Sequence, residues 1–229
     1  IYSYGEDNKF PDQLLYLMNK SATHNAIINQ KALYINGSGV NGVPQQLVEK
    51  WNKHDSFMEF RDKCIRDGRI FGGFACEVLY DRLNKPHFYH VDFAKIRTLD
   101  HSKYFYSDDW SKQKVDVQEY DAFDPAKSTP FSKQIFYFRE YRSGLDVYPL
   151  PEYYPALNYI DIEARISNFH LNNIASGFTA GTLVQLFKGE PSPEEARAFK
   201  RKFAANAQGD SNGGAVLIQF NEPNETPAA

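Results

Sequence analysis

Strong charge of either sign is missing from this chain: 26 lysines and arginines stand against 29 aspartates and glutamates, for a net charge of −3. That balance excludes the global basic footprint of a sequence-reading nucleic-acid binder. Cysteine is scarce. Cys64 and Cys76 have no metal-ligand partner spacing near them and are expected to be buried, reduced thiols in a reducing compartment. No apolar run approaches the roughly 18 residues of a membrane span, and the opening residues do not read as a signal peptide. The expectation is a soluble protein with no membrane partner. The histidines (His24, His54, His87, His90, His101, His170) form no H-x-x-x-H or H-E-x-x-H pair, and His87 and His90 fall on opposite sides of a predicted strand. No metal is expected. No G-x-S-x-G or other nucleophile motif occurs. Asp81, Asp92, Asp108 and Asp109 sit beside turns, where aspartate has structural reasons to be. No catalytic constellation emerges, so neither an enzyme nor a cofactor is expected.

What is abundant is aromatic: 15 tyrosines and 18 phenylalanines. The chain starts at Ile1 and stops in NEPNETPAA, so both ends read as cut and a fragment is expected. The first half predicts helices over Pro11–Asn19, Ala22 to about Ile35 with Ser21 as cap, Pro44–Lys53 with Leu47, Val48 and Trp51 inward, and one from the Ser56/Glu59 capping box to near Gly68. From Phe71 the character changes to short aromatic strands: Phe74–Tyr80 with hairpin partner His87–Phe93, then Tyr104–Ser107, Val115–Phe123 and Gln134–Arg142. An antiparallel sheet is expected there. The fold class is therefore α+β. Further on, Thr182–Phe187 and Ala215–Phe220 read as strands around a helix Pro193–Ala207. Ser192 and Glu195 box its start, and Ala196, Phe199 and Phe203 form its inner face.

The stretch that organises the chain is PEYYPALNYIDIEARISNFHLNNIAS, residues 151–176, read as one helix closed by Gly177. At about 100° per residue its apolar side chains fall on two opposed faces. Leu157, Ile160, Ala164, Leu171 and Ile174 make one. Tyr159, Ile162, Ile166 and Phe169 make the other. Asp161, Arg165, Asn168 and Asn172 form a polar strip between them, and Glu163 and His170 a second. A helix with two apolar stripes wants partners on both sides, as a central core helix or as a stave in a ring of helices.

Two other patterns carry less. Gly37-Ser-Gly39-Val-Asn-Gly42 matches G-x-G-x-x-G, but a helix precedes it and antiparallel hairpins follow, which is the wrong context for a dinucleotide site. Arg197, Lys200, Arg201 and Lys202 are the one basic cluster. They follow Glu194 and Glu195 as the helix dipole favours, and they occupy an exposed face where weak contact with DNA or a partner is expected.

In order, SATHNAIINQKALYINGSG, FRDKCIRDGRIFGGFACEVLYD, HFYHVDFAKIRTLD and KQIFYFREYRSGLDVYPLPEYYPALNYIDIEARISNFHLNNIASGFTAGTLVQL resemble tailed-phage (or prophage) portal proteins of the HK97-like type. The shared pattern is a helical pair ending in a glycine turn, a strand with glycine just before it, a Tyr-Pro-x-Pro turn into a long helix, and a β–α–β unit. It spans about residues 5–222. The resemblance implies a wing over residues 1–150 (helices 11–69, strands 71–148), a stem helix over 151–176, a clip over 177–222 and a tail over 223–229. It implies a ring, usually of twelve copies, at the capsid vertex, through which duplex DNA passes non-specifically during packaging and ejection. Packaging motor (terminase), tail adaptor and capsid proteins are the implied partners, and the virion, or the bacterial cytoplasm during assembly, the implied location. Asp161, Arg165, Asn168 and Asn172 would then face the channel, while Leu157, Ile160, Leu171, Tyr159, Ile162, Ile166 and Phe169 would touch neighbouring copies. The pattern departs from the family after the clip, where no returning stem helix, tunnel loop or crown follows. The rival expectation is a carbohydrate- or peptide-binding domain with an exposed aromatic cleft within residues 74–142.

Overall fold

Ser21 shows how locally the helical part is decided. It ends α1 (Phe10–Lys20) and starts α2 (Ala22–Asn36), its hydroxyl accepting the His24 backbone N–H at 3.0 Å. That satisfies one of the donors a helix start leaves open. The computed structural model describes residues 1–112, 116–127, 129–175, 183–186, 194, 197–198 and 217–220. The chain divides into two compact units, Ile1–Ile160 and Asp161–Ala229.

In the first unit a short α3 (Gln45–Glu49) and α4 (Phe57–Phe71) follow, α4 opening on the Ser56/Glu59 capping box. Six strands succeed them: β1 (Gly73–Tyr80), β2 (Pro86–Val91), β3 (Ile96–Thr98), β4 (Lys103–Tyr106), β5 (Gln118–Ala122) and β6 (Lys133–Arg139). They form one sheet in the order β2-β1-β6-β5-β4-β3. The register places Cys76 opposite His90 and Val78 opposite Phe88, and this side carries α4. Ala75, opposite Val91 and Tyr137, looks into an aromatic core with Phe93, Tyr104 and Tyr148. The fold class is α+β, as the sequence indicates.

Arg97 on β3 is fully buried, and its guanidinium donates to Asn8 Oδ1 and to the carbonyls of Asn8 (2.8 Å), Ala94 (2.7 Å) and Ile96 (2.8 Å). It also lies 5.1 Å from the Trp110 ring centre. Carbonyl oxygens, rather than a carboxylate, satisfy a buried charge that would otherwise be costly. The result ties the N-terminal segment to the sheet.

Four sequence expectations need correction. The third helix stops at Glu49, because Asn52 Oδ1 accepts the backbone N–H groups of His54 and Asp55 at 2.7 Å and folds the chain into a turn. Trp51 therefore lies outside the helix, with its ring against Phe57 at 4.9 Å. Helix α4 runs through Gly68 to Phe71, since Gly72, with φ +83°, supplies the left-handed cap. The sheet is mixed, not antiparallel: β5 pairs parallel with β6 after the 3-10 turn Pro125–Lys127 redirects the chain. Strand β3, only three residues long, lies where no strand is expected.

The long helix, α5, spans Leu157–Ala175, and a 3-10 turn, Tyr154–Ala156, takes up the proline that precedes it. In the second unit β7 (Leu183–Leu186) and β8 (Leu217–Phe220) pair in parallel, which requires a crossover between them. Glu194, Arg197 and Ala198 within that crossover are helical. The rest of the expected helix, with Ser192, Glu195, Ala196, Phe199 and Phe203, lies outside the described residues.

Candidate functional site

The segment that leads into α5 is tied to the rest of the first unit through backbone carbonyls. Tyr4 Oη donates to the Pro149 carbonyl at 2.6 Å, Tyr153 Oη to the Ile70 carbonyl at 2.7 Å, and Tyr148 Oη to the Tyr2 carbonyl at 2.7 Å. Burial pushes all three phenols above their ordinary pKa. A Cβ on Gly72 would meet the Leu150 carbonyl oxygen at 2.8 Å, so the chain crosses the α4–β1 turn where no side chain fits. Glu152 is paired with Lys31 at 2.9 Å, and Arg69 joins Glu140 and approaches Glu152 at 3.6 Å. Lys31 beside Glu152 holds its carboxyl below the usual carboxylate range.

Helix α5 carries its apolar stripes unequally covered. Ile160 and Ala164 are buried and Leu157 is half-buried, whereas Leu171 and Ile174 on the same stripe are exposed. Tyr159, on the opposite stripe, is 76% exposed, and Ile162, Ile166 and Phe169 are each 49% exposed. Of the polar strip, Asp161, Asn168 and Asn172 are half-buried and Arg165 is exposed. Arg165 pairs with Asp161 one turn away at 2.8 Å. The strip's one cation and one anion are therefore paired with each other. Of the basic cluster, Arg197 is exposed on helical backbone, while Lys200, Arg201 and Lys202 lie outside the described residues.

A second feature lies beside α4. Ile35, Phe57, Phe60, Ile65, Phe74 and Phe138 line an open apolar groove of about 330 Å³, with Arg61, Arg69 and Glu140 as its charged groups. Phe74 stacks on Phe138 with ring centres 5.1 Å apart. The rival expectation of an aromatic cleft within residues 74–142 meets this groove only in Phe74, Phe138 and Glu140, because the rest of its lining comes from helices α2 and α4.

The structure also brings together titratable groups that the sequence scatters. Asp67 on α4 meets His90 on β2 at 2.8 Å and accepts the Phe93 backbone N–H at 3.3 Å. Burial raises the Asp67 pKa against the opposing pull of His90. Cys64 and Cys76, both buried, lie with their sulfurs 3.8 Å apart. Among the described residues no group of three or more His, Cys, Asp or Glu side chains could hold a metal ion. No helix among them is long and apolar enough to cross a membrane.

The fold is shared with large particles. A chain from the virion of a native gene transfer agent particle matches with a TM-score of 0.54 at 13% identity, over 90% of this chain and 58% of that one. A chain from the neck of an empty gene transfer agent particle, computed with C6 symmetry, matches with a TM-score of 0.54 at 14% identity, over the same 90% and 58%. At these identities the likeness is one of fold, and this chain spans less than two thirds of either neighbour's length. No protein-family model matches the chain, and no curated protein matches it in sequence.

Proposed function

We propose that this chain is a structural component of a phage-like particle, the wing, stem and clip of a portal-type ring that conducts DNA through the capsid vertex. The observation that carries the reading is the exposed stripe Tyr159, Ile162, Ile166 and Phe169 on α5. Large contiguous apolar exposure marks an interaction surface. On a helix with neighbours on both flanks, the stripe is covered by the next copy in a closed ring. The fold shared with chains of gene transfer agent particles supports the same reading. Asp161, Arg165, Asn168 and Asn172 then face the channel, with the packaging motor or tail adaptor docking at the clip around Arg197. The ring holds about twelve copies, as the portal resemblance implies.

The test is assembly. Ile162→Asp with Ile166→Asp should abolish the oligomer in sedimentation velocity while leaving the circular dichroism spectrum and the melting of the first unit unchanged. An unaltered sedimentation coefficient would remove the stripe from the interface.

The apolar groove favours a second reading, a binding domain for an apolar peptide segment. Its lining is mainly phenylalanine and aliphatic, with Arg61, Arg69 and Glu140 as its charged groups, which suits an apolar segment better than a sugar. Loss of peptide binding on Phe138→Ala, with the oligomer intact, would favour it.

A further inference from the structure

Cys64 and Cys76 sit at the same height on either side of the α4–β1 turn. Cys64 lies eight residues before Gly72, about 12 Å down a helix rising 1.5 Å per residue. Cys76 lies four residues after it, about 13 Å along a strand rising 3.3 Å per residue. Helix and strand therefore return to the same level, and the sulfurs stand 3.8 Å apart.

We propose that this thiol pair is a modification site for low-molecular-weight disulfides, closing as an intramolecular disulfide that locks α4 onto β1. Access is one-sided. Cys64, 7% exposed, lines the open apolar groove with Phe57, Phe60 and Phe74, while Cys76, 2% exposed, is not among its lining residues. Cys64, the one of the two that the groove reaches, is therefore the attacking sulfur, and the hydrogen bond with Cys64 together with burial pushes the Cys76 thiol up. In the first step the Cys64 thiolate attacks one sulfur of the small disulfide, forming a mixed disulfide and releasing one small thiolate. In the second, Cys76 gives its proton to solvent and its sulfur displaces the remaining small thiol from Cys64. The two cysteines lose two electrons and two protons in all, and the small disulfide is reduced to two thiols.

The consequence reaches the segment that leads into α5. The Ile70 carbonyl that receives Tyr153 Oη, the Arg69 side chain and the Gly72 turn all belong to the segment the bond would close. Locking it stiffens the part of the first unit that holds Tyr153. The inference rests on the fold alone and is independent of the assembly reading.

The experiment treats the native protein at neutral pH with bis(2-hydroxyethyl) disulfide. It then blocks remaining thiols with N-ethylmaleimide in denaturant and measures intact mass and thermal midpoint. Both thiols should disappear together with no adduct retained, and the midpoint should rise by about 5–10 °C for a loop of this size. Cys76→Ser should trap the mercaptoethanol adduct on Cys64, and Cys64→Ser should take up none. Four results would each overturn the proposal: thiols that oxidise only in urea, equal labelling of the two variants, a retained adduct in the wild type, or a lowered midpoint.

Discussion

A Cβ at residue 72 would have to sit 2.8 Å from the Leu150 carbonyl oxygen, on a backbone whose φ is +83°. Both the conformation and the contact forbid it, and the obstacle is backbone that cannot swing aside. Gly72→Ala is expected to destabilise the first unit by about 2–3 kcal/mol and lower its midpoint by about 5–10 °C. Tyr153→Phe, which removes only the hydrogen bond to the Ile70 carbonyl, should cost about 1 kcal/mol. Calorimetry of the two variants checks both, and an unchanged midpoint for Gly72→Ala would contradict that close approach. Two carboxylates on α4 then work in opposite directions with pH. Glu59 is held low by the Ser56 backbone N–H. Its stabilisation is present above the unfolded value of about 4.3 and is lost as pH falls through its depressed folded pKa. Asp67 is held high by burial. Its contribution is complete below an unfolded value of about 3.9 and is lost as pH rises through its raised folded pKa. Midpoints measured against pH for Glu59→Gln and Asp67→Asn should therefore diverge from wild type with opposite slopes. Of all this the sequence shows only the capping box, which is local. The Asp67–His90 pair, the carbonyl cage of Arg97 and the thiol pair depend on strand register that no local pattern encodes.

Elements are legible where their ends are set by adjacent residues. Ser21 and Ser56 start helices at the positions their side chains dictate, because a cap acts over three residues. Misreadings arise where a distant partner or a competing turn decides. Gly68 looks like a terminus, but the left-handed cap belongs to Gly72. The Pro44 helix is cut short by the side chain of Asn52. The parallel pairing of β5 with β6 is set by the redirecting turn at Pro125–Lys127, not by the alternation within either strand. On α5 the period alone divides the apolar side chains into two stripes, but which one is covered depends on the rest of the chain. Ile160 and Ala164 are covered, while Ile162 and Ile166 are not. Ile160→Ala should therefore cost stability, about 2–3 kcal/mol in chemical denaturation. Ile166→Ala should cost less than about 0.5 kcal/mol in the isolated chain. Equal losses at the two positions would contradict the asymmetry.

At the scale of the molecule the proposed portal role is to be set against the charge balance of −3. A conduit must pass a polyanion without holding it, and each tight phosphate contact adds salt-dependent affinity. Duplex DNA should bind the chain no better than about 10⁻⁵ M at physiological salt and without sequence preference. That binding should weaken several-fold when Lys200, Arg201 and Lys202 become alanine. Fluorescence anisotropy on two unrelated duplexes at two salt concentrations measures it, and nanomolar, sequence-selective binding would point instead to a regulator or processing enzyme. The central claim is the ring, and it is tested most directly by electron microscopy of the protein. The expected result is a closed ring with a central channel, in which Tyr159, Ile162, Ile166 and Phe169 of each copy lie against the next copy and the Asp161–Arg165 strip faces the lumen. A monomer with both stripes of α5 covered by its own chain would contradict it.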